Sequence, residues 1–199
     1  MLRVELGDVD AVQAVSQAIE ATRAFCDRYG VSVRLDRPET PMGVRVDEGR
    51  FIQVITNLLS NAAKFSPRDA VVSVVMSIVD GHVRIAVRDH GPGIPDEFRA
   101  KIFGRFAQAD SATTRAKGGS GLGLHICRQL VSLMGGRIDF ESTVGVGSTF
   151  WVDIPLADTA ARPADALPAA TETDAPPAPG RRVTLLAADG PAADFLTTA

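Results

Sequence analysis

Amide and ammonium side chains recur along one stripe of a predicted helix over residues 51–65. At about 100° per residue, four polar residues fall on that stripe: Gln53, Asn57, Asn61 and Lys64. Asparagine loses roughly 0.5 kcal/mol or more against alanine inside a helix, so two asparagines at i and i+4 favour a chemical role. An amide oxygen suits Mg²⁺ carried on a polyphosphate, and an ammonium group can neutralise phosphate oxygens. The alternative is a solvated helix face with incidental asparagines.

A second candidate segment is Gly119-Ser120-Gly121-Leu122-Gly123, which opens a largely apolar helix. Glycines at a helix start let backbone N–H groups approach an anion closely, and the helix dipole adds to the attraction. The segment lacks the Gly-Lys-Ser/Thr of the Walker pattern. It therefore predicts either a phosphate site or a packing turn.

A third segment, Asp89 to Pro95, follows a predicted strand and contains two glycines. A carboxylate at this position can accept a hydrogen bond from an exocyclic amine such as that of adenine, or it can cap the next turn. Gly91 and Gly93 would let the backbone lie against a flat ring.

Composition limits the classes of function. The chain has 199 residues, 45% of them hydrophobic, and a formal net charge of −3, which predicts one principal core and no nucleic-acid partner. Cys26 and Cys127 lie in apolar helical patterns and are expected to be reduced core thiols of a cytoplasmic protein. No apolar run reaches the ~18 residues of a membrane span, so we expect no direct membrane contact by this chain, although the parent protein can be membrane-anchored.

The elements that must position these segments alternate between helix and strand. Periodicity, capping residues and turn signals predict strands at 2–6, 31–35, 44–46, 71–79, 83–87, 137–142 and 148–154. The same signals predict helices from Asp8 or Asp10 to Gly30, from Asp47 to Pro67, a short one from Asp96, and one over 122–134. Residues 107–120 read as a mobile loop and 158–180 as a disordered Ala/Pro-rich linker.

Four segments together resemble the motifs of histidine kinases. Asn57–Phe65 resembles the N box, Asp89–Ile94 the first glycine box, Phe103–Phe106 the F box, and Gly119–Leu124 the second glycine box. They occur in the family's order and at its spacing within residues 1–157. The resemblance implies an α/β, two-layer ATP-binding domain of the Bergerat type, with a mixed β-sheet covered by helices on one face.

The resemblance also implies roles for single residues. Asn61 would hold Mg²⁺, Asn57 would help to place the triphosphate of ATP, and Lys64 would contact that triphosphate. Phe65 would flank adenine, and Asp89 would bind its exocyclic amine with help from Thr149 through water. The first glycine box would also supply three residues to the adenine site: Gly91, Gly93 and Ile94.

Further implied roles concern the lid and the transfer step. Phe103 and Phe106 would anchor a lid over the nucleotide. The second glycine box would cover the phosphates with five residues: Gly119, Gly121, Leu122, Gly123 and Leu124. Lys64 and Arg105 are candidate catalytic residues, although Arg105 also fits an ordinary surface arginine.

The function implied is that of a histidine kinase catalytic domain, which binds Mg-ATP and donates its γ-phosphate to a histidine on a dimerisation domain. We expect that acceptor outside this chain, because His82, His90 and His125 each fit a structural position better. A receiver domain or response regulator would be the next partner in the phosphorelay. The alternative is an autonomous ATPase of the related chaperone type, or a nucleotide-binding regulatory module. Gln53 argues against the ATPase, because an amide cannot act as the carboxylate base of those enzymes.

Residues 181–199 carry a weaker resemblance to the first strand of a receiver domain. Asp189 matches the second acid that ends such a strand, whereas Ala188 replaces the first. A hybrid kinase is the favoured parent on this basis, and an unrelated tail is the alternative.

Overall fold

A computed structural model describes residues 3–105 and 121–157. Its helices are α1 (Ala11–Tyr29), α2 (Glu48–Phe65), α3 (Asp96–Arg99) and α4 (Gly123–Leu133). Its strands are β1 (Gly7–Asp10), β2 (Ser32–Asp36), β3 (Gly43–Val46), β4 (Val71–Val79), β5 (His82–Arg88), β6 (Arg137–Thr143) and β7 (Gly147–Pro155). Phe106, Gly119, the predicted lid at 107–120, the linker at 158–180 and the segment at 181–199 lie outside these ranges. Within them, no helix is long and apolar enough to cross a membrane.

The main sheet has five strands in the order β2-β4-β5-β7-β6. β2 runs parallel to β4, and every other neighbouring pair is antiparallel, which confirms the predicted mixed sheet. Alternate residues of its central strands are fully buried and point to one face: Val72, Val74, Val83, Ile85, Val152 and Ile154. These side chains join the apolar faces of α1, α2 and α4 in one core, so the helices cover this face of the sheet.

The predicted opening strand at 2–6 was wrong. The first strand is Gly7–Asp10, which pairs antiparallel with β3 in a separate two-stranded sheet. Val4 packs against the core, and the N–H group of Glu5 donates to a side-chain oxygen of Asp47 instead of to a strand. Residues 3–6 are therefore not a strand, although Val4 contacts the core.

Helix α2 forms as the sequence predicts. The Asp47 carboxylate caps it, with Oδ1 accepting from the N–H of Arg50 at 3.0 Å and Oδ2 accepting from Glu5 at 3.0 Å. These backbone hydrogen bonds, first from Glu5 and then from Arg50, lower the pKa of Asp47. The helix ends at Ser66, which is extended because Pro67 follows it. Its buried face packs on the sheet, and this leaves the amide stripe on its other side.

Candidate functional site

The amide stripe of α2 meets the start of α4. The Nδ2 group of Asn61 donates to Oδ1 of Asn57 at 3.1 Å, and both side chains are partly buried. A Cβ atom on Gly123 would lie 2.5 Å from Nδ2 of Asn57, so only glycine allows this approach. The structure thus brings Asn57, Asn61 and the first turn of α4 together, as a phosphate site requires.

The stripe continues to the end of α2. Lys64 holds its Nζ atom 5.1 Å from the centroid of the Phe65 ring. The backbone of Gly91 lies against Phe65, since a Cβ on Gly91 would be 3.0 Å from the carbonyl oxygen of Phe65. The end of the N-box helix therefore contacts the turn that follows β5. Gln53, about three turns before Lys64, is exposed and accepts a hydrogen bond from Arg50 at 3.0 Å.

Asp89 is a buried carboxylate with only 7% of its surface exposed. Its Oδ1 atom accepts from the N–H of Gly91 at 2.8 Å and from the N–H of Ser148 at 3.1 Å. Oδ2 takes no hydrogen bond from the part of the chain that the structure describes. Burial raises the pKa of Asp89 above its ordinary value, against the opposite effect of the two N–H groups. One oxygen is thus fixed by the protein, and the other remains as an acceptor for a ligand.

The help that Thr149 would give Asp89 through water stays a prediction, and the β7 residue that contacts Asp89 directly is Ser148. In the antiparallel register, Thr149 lies opposite Arg88, and its side chain points to the sheet face away from the helices. Ser148 is one residue earlier and therefore shares the inner face with Asp89. Ser148, Val152 and Ile154 are all buried, which places the even-numbered residues of β7 on the inner face.

The turn after β5 packs on the β6–β7 turn. Gly93 has φ +73°, and a Cβ there would lie 2.3 Å from the carbonyl oxygen of Thr143. The N–H of Gly145 donates to the carbonyl of Pro92 at 2.8 Å. The N–H of Ile94 donates to Oγ of Ser142 at 2.8 Å, a residue that the sequence reading missed. Contact with the neighbouring turn therefore explains why position 93 needs a glycine, and the role of Gly93 beside a flat ring stays a prediction.

Phe103 packs into an aromatic cluster on the inner face of the sheet. Its ring centroid lies 5.9 Å from that of Phe140 and 6.4 Å from that of Phe150, both edge-to-face. The Arg128 guanidinium lies 5.7 Å from the Phe103 centroid. The sequence reading did not include Phe140 and Phe150. Each lies two residues from a buried residue of the same strand, Ile138 in β6 and Val152 in β7, and therefore points to the same face. Phe103 is thus anchored shortly before residue 105, where the first described range ends.

Arg105 lies beside His125 at the start of α4. The Nδ1 atom of His125 is 3.1 Å from the carbonyl oxygen of Phe103, and a carbonyl can only accept, so Nδ1 carries the proton. Nε2 then accepts from Nε of Arg105 at 3.2 Å. The structure thus gives Arg105 a protein partner, and its contact with phosphate stays a prediction. Leu122 and Leu124 lie at the first turn of α4, after Gly121 in a left-handed conformation.

A five-stranded sheet, an amide-bearing helix and a buried carboxylate beside a glycine turn define a nucleotide-binding α/β domain. Residues 46–158 match the sequence model of the histidine kinase-, DNA gyrase B-, and HSP90-like ATPases. The match spans more than half of the chain. This chain belongs to that family.

Individual relatives narrow the class within the family. The chain is 48% identical over 124 residues to sensor histidine kinase AruS of Pseudomonas aeruginosa, covering 60% of this chain and 12% of the relative. It is 39% identical over 155 residues to sensor-like histidine kinase SenX3 of Mycolicibacterium smegmatis, covering 75% and 40%. Its fold matches full-length ShkA in complex with AMPPNP with a TM-score of 0.68 and 31% identity, covering 78% and 32%. The chain thus corresponds to the ATP-binding catalytic domain of two-component sensor histidine kinases, and spans less than half of the length of these proteins.

Proposed function

We propose that this domain binds Mg-ATP and, within its parent protein, transfers the γ-phosphoryl group to a histidine on a dimerisation domain. The observation that carries the proposal is the Asp89 carboxylate, whose Oδ1 is held by two backbone N–H groups while Oδ2 is left for a donor. An exocyclic amine is such a donor, and adenine carries one. Phe65 and Gly91 lie beside this carboxylate and would contact the adenine ring.

The phosphate end of ATP would lie along the stripe of α2. Asn57 and the first turn of α4 are in contact, so the N–H groups at the start of α4 and the Asn57 amide converge on one region. Lys64 would add a positive charge to this region. The structure of ShkA with AMPPNP, an ATP analogue, supports nucleotide binding by this fold.

The donor set fits a magnesium ion that arrives on the phosphates. The Nδ2 group of Asn61 is used in bonding Asn57, which leaves the Asn61 oxygen as the atom available for a hard cation. Within the described residues, no cluster of three or more His, Cys, Asp or Glu side chains could hold a metal. Asn61 would thus hold the ion together with phosphate oxygens, and the ion would neutralise their charge.

The transfer step would need little more than positioning and charge neutralisation. In phosphoryl transfer the protein holds the attacking and leaving groups in line and stabilises the charge on the phosphate. Asn57, Lys64 and the N-terminus of α4 would supply the binding groups, and Arg105 would add a charge if it leaves His125. The attacking nitrogen would come from the partner histidine, and a response regulator or receiver domain would then accept the phosphoryl group.

The deciding experiment mixes the chain with a separate helical hairpin that carries the acceptor histidine, in the presence of γ-labelled ATP. We expect label on the hairpin histidine, stable to base and labile to acid. Release of inorganic phosphate with an unlabelled hairpin would instead favour the autonomous ATPase. ATP binding without turnover would favour the regulatory module.

The magnesium assignment has its own test in Asn61→Ala, with Gln53→Ala as the matched control on the same stripe. Asn61→Ala is expected to remove the Mg²⁺-dependent part of ATP affinity, while Gln53→Ala, being exposed, leaves it unchanged. Calorimetry with and without Mg²⁺ measures both. Unchanged Mg-ATP affinity in a folded Asn61→Ala variant would refute the assignment.

A further inference from the structure

Ser142 lies near the end of β6, outside all four motif segments. It pairs directly with Ser148 across the β6–β7 ladder and shares the inner face of the sheet with Ser148 and Asp89. Only 9% of its surface is exposed. A buried serine at this point, separated from the Asp89 carboxylate only by strand β7, is a candidate for a role in the site.

The hydroxyl of Ser142 contacts three groups at once. Oγ is 2.8 Å from the N–H nitrogen of Ile94, 3.1 Å from the carbonyl oxygen of Gly147 and 3.0 Å from Oγ of Ser148. Because the N–H can only donate and the carbonyl can only accept, the Ser142 hydroxyl accepts from Ile94 and donates to Gly147. The Ser148 hydroxyl then donates into the second lone pair of Ser142. The Ser142 hydroxyl thus uses its full hydrogen-bonding capacity, and it connects β6 to β7 and to the turn that follows β5.

The backbone of Ser142 adds another connection. Its carbonyl oxygen accepts a hydrogen bond from Nη2 of Arg99, and Nε of the same arginine pairs with Asp96 at 2.8 Å. The segment from Ile94 to Arg99 is therefore fastened to residue 142 at two points, one through the side chain and one through the main chain.

The two segments that Ser142 connects, the turn after β5 and strand β7, each donate a hydrogen bond to Asp89. Ile94 ends the turn whose Gly91 N–H donates to Asp89 Oδ1, and Ser148 supplies the second N–H to the same oxygen. We propose that Ser142 is a positioning residue for base recognition, which holds the turn and strand β7 together so that Asp89 presents Oδ2 to the exocyclic amine. This inference rests on the proposed ATP-binding function.

The test compares Ser142→Ala with Ser142→Thr, which keeps the hydroxyl, and with Ser132→Ala, an exposed serine on α4. Dissociation constants are measured on the full chain for Mg-ATP, Mg-GTP and inorganic tripolyphosphate. We expect Ser142→Ala to weaken ATP binding about tenfold and to reduce the preference for ATP over GTP. Tripolyphosphate affinity is expected to stay unchanged, Ser142→Thr to recover most of the loss, and Ser132→Ala to match wild type.

Tripolyphosphate separates positioning from a general effect on the fold. Equal losses for ATP and tripolyphosphate would overturn the proposal, as would a wild-type ATP preference in Ser142→Ala. If Ser142→Ala does not fold, Arg99→Gln removes the hydrogen bond to the Ser142 carbonyl instead. It is expected to weaken ATP binding by less than about tenfold and to leave tripolyphosphate affinity unchanged.

Hydrogen exchange of the ligand-free chain tests the connection without any nucleotide. Ser142→Ala is expected to speed exchange at the amides of Ile94 and Gly91 but not at amides of α1. Unchanged exchange at both residues would overturn the positioning role whether or not ATP binds. Failure of the wild-type chain to bind ATP would instead refute the proposed function itself.

Discussion

Asp89 combines a cost to stability with its proposed use in recognising adenine. Burial raises the pKa of this carboxyl group, so the folded chain binds the proton more tightly than the unfolded chain does. The folded state is therefore penalised for ionisation, and this penalty appears as the pH rises through the raised pKa. An acceptor for an exocyclic amine must nevertheless be ionised, or at least have Oδ2 without a proton. In the proposed site, burial of the ionised Asp89 lowers the stability of the fold, and its Oδ2 atom accepts a hydrogen bond from the exocyclic amine.

The variant Asp89→Asn separates these two effects. Its Oδ1 can still accept from Gly91 and Ser148, while its neutral amide removes the ionisation penalty, so we expect an equal or higher melting temperature at pH 7. An NH₂ group would now face the exocyclic amine, and ATP affinity is expected to fall at least about tenfold. Differential scanning fluorimetry and calorimetry measure the two effects, with the exposed Asp36→Asn as control. A destabilised variant that retains ATP affinity would contradict both expectations.

At the level of single residues, the sequence was informative where a side chain is chemically unusual for its position. Asparagines inside a helix and an aspartate before two glycines stand out without any structure. Ser142 and Ser148 do not, because serine is common at strand ends and their role depends on which strands are neighbours. The sequence reading named Thr149 and not Ser148 for the same reason, since one step along a strand exchanges the two faces.

At the level of elements, Gly123 couples two helices. Its missing side chain allows the start of α4 to approach Nδ2 of Asn57, so the N–H groups that open α4 and the stripe of α2 lie side by side. An ordinary helix start would not need glycine at this position, because alanine is the better helix former by about 1 kcal/mol.

Gly123→Ala is expected to weaken Mg-ATP binding about tenfold without lowering the melting temperature. The added methyl group would displace the Asn57 side chain, while the helix itself would gain stability from alanine. Gly7→Ala is the matched control, since a Cβ there meets nothing within 4 Å. Unchanged ATP affinity in Gly123→Ala would show that the contact between the two helices is not part of the site.

The outer face of the sheet contains an ion cluster around Asp153, whose side chain is only 1% exposed. Burial alone would raise the pKa of Asp153, but hydrogen bonds from Arg84 at 2.7 and 2.9 Å and from Arg137 at 2.8 Å lower it. Arg84 also lies over the Trp151 ring at 5.3 Å and is less exposed than Arg137. The cluster therefore joins β5, β6 and β7 on the side without helices.

Arg84→Met is expected to destabilise the chain by about 2 kcal/mol at pH 7, because it removes two of the three hydrogen bonds that the arginines donate to the buried Asp153 carboxylate. Arg137→Met, at the more exposed arginine, is expected to cost less than about 1 kcal/mol. Since the pKa of Asp153 is lowered in the folded state, this stabilisation exists at neutral pH and is lost as the pH falls below the ordinary aspartate range near about 4. Urea denaturation at pH 7 and pH 3 measures the difference. An equal cost for both variants, or a cost independent of pH, would contradict this account.

Helices and hairpins followed from the sequence more closely than the first strand did. The α2 cap at Asp47, the Asp80-Gly81 hairpin turn and the α4 span all have local signals. Gly7–Asp10 has poor strand propensity and forms because β3 lies beside it, a partner distant in sequence. Local pattern favoured Leu2 to Leu6 instead, and tertiary pairing overrode it.

For the whole molecule, the order of strands in the sheet could not be predicted from the sequence pattern. The two hairpins β4–β5 and β6–β7 were predictable, since each pair is joined by a short glycine turn. The sequence does not show that β7 rather than β6 pairs with β5, nor that β2 pairs parallel with β4 after the crossover through α2. The β5–β7 pairing matters for the candidate site, because it places Ser148 beside Asp89.

The boundary of the domain after β7 gives the last prediction. Beyond that strand, the N–H of Leu156 donates to the carbonyl of Gly81 at 3.0 Å, and the N–H of Ala157 donates to the carbonyl of Gly43 at 2.8 Å. A chain ending at Ala157 keeps both bonds, so we expect ATP affinity within a factor of about three and nearly the same melting temperature. A chain ending at Ile154 loses them along with the packing of Leu156, at about 1 kcal/mol for each bond, and is expected to melt roughly 4–8 °C lower.

Scanning calorimetry and ATP titration of the two shortened chains beside the 199-residue chain decide the matter. The comparison is matched because the two truncations differ by only three residues at the same end. If removing residues 158–199 alone lowers stability or affinity strongly, that segment belongs to the catalytic domain, and reading it as a linker and the start of a receiver is wrong. If both shortened chains melt alike, the bonds to Gly81 and Gly43 do not close the fold, and the domain ends within β7.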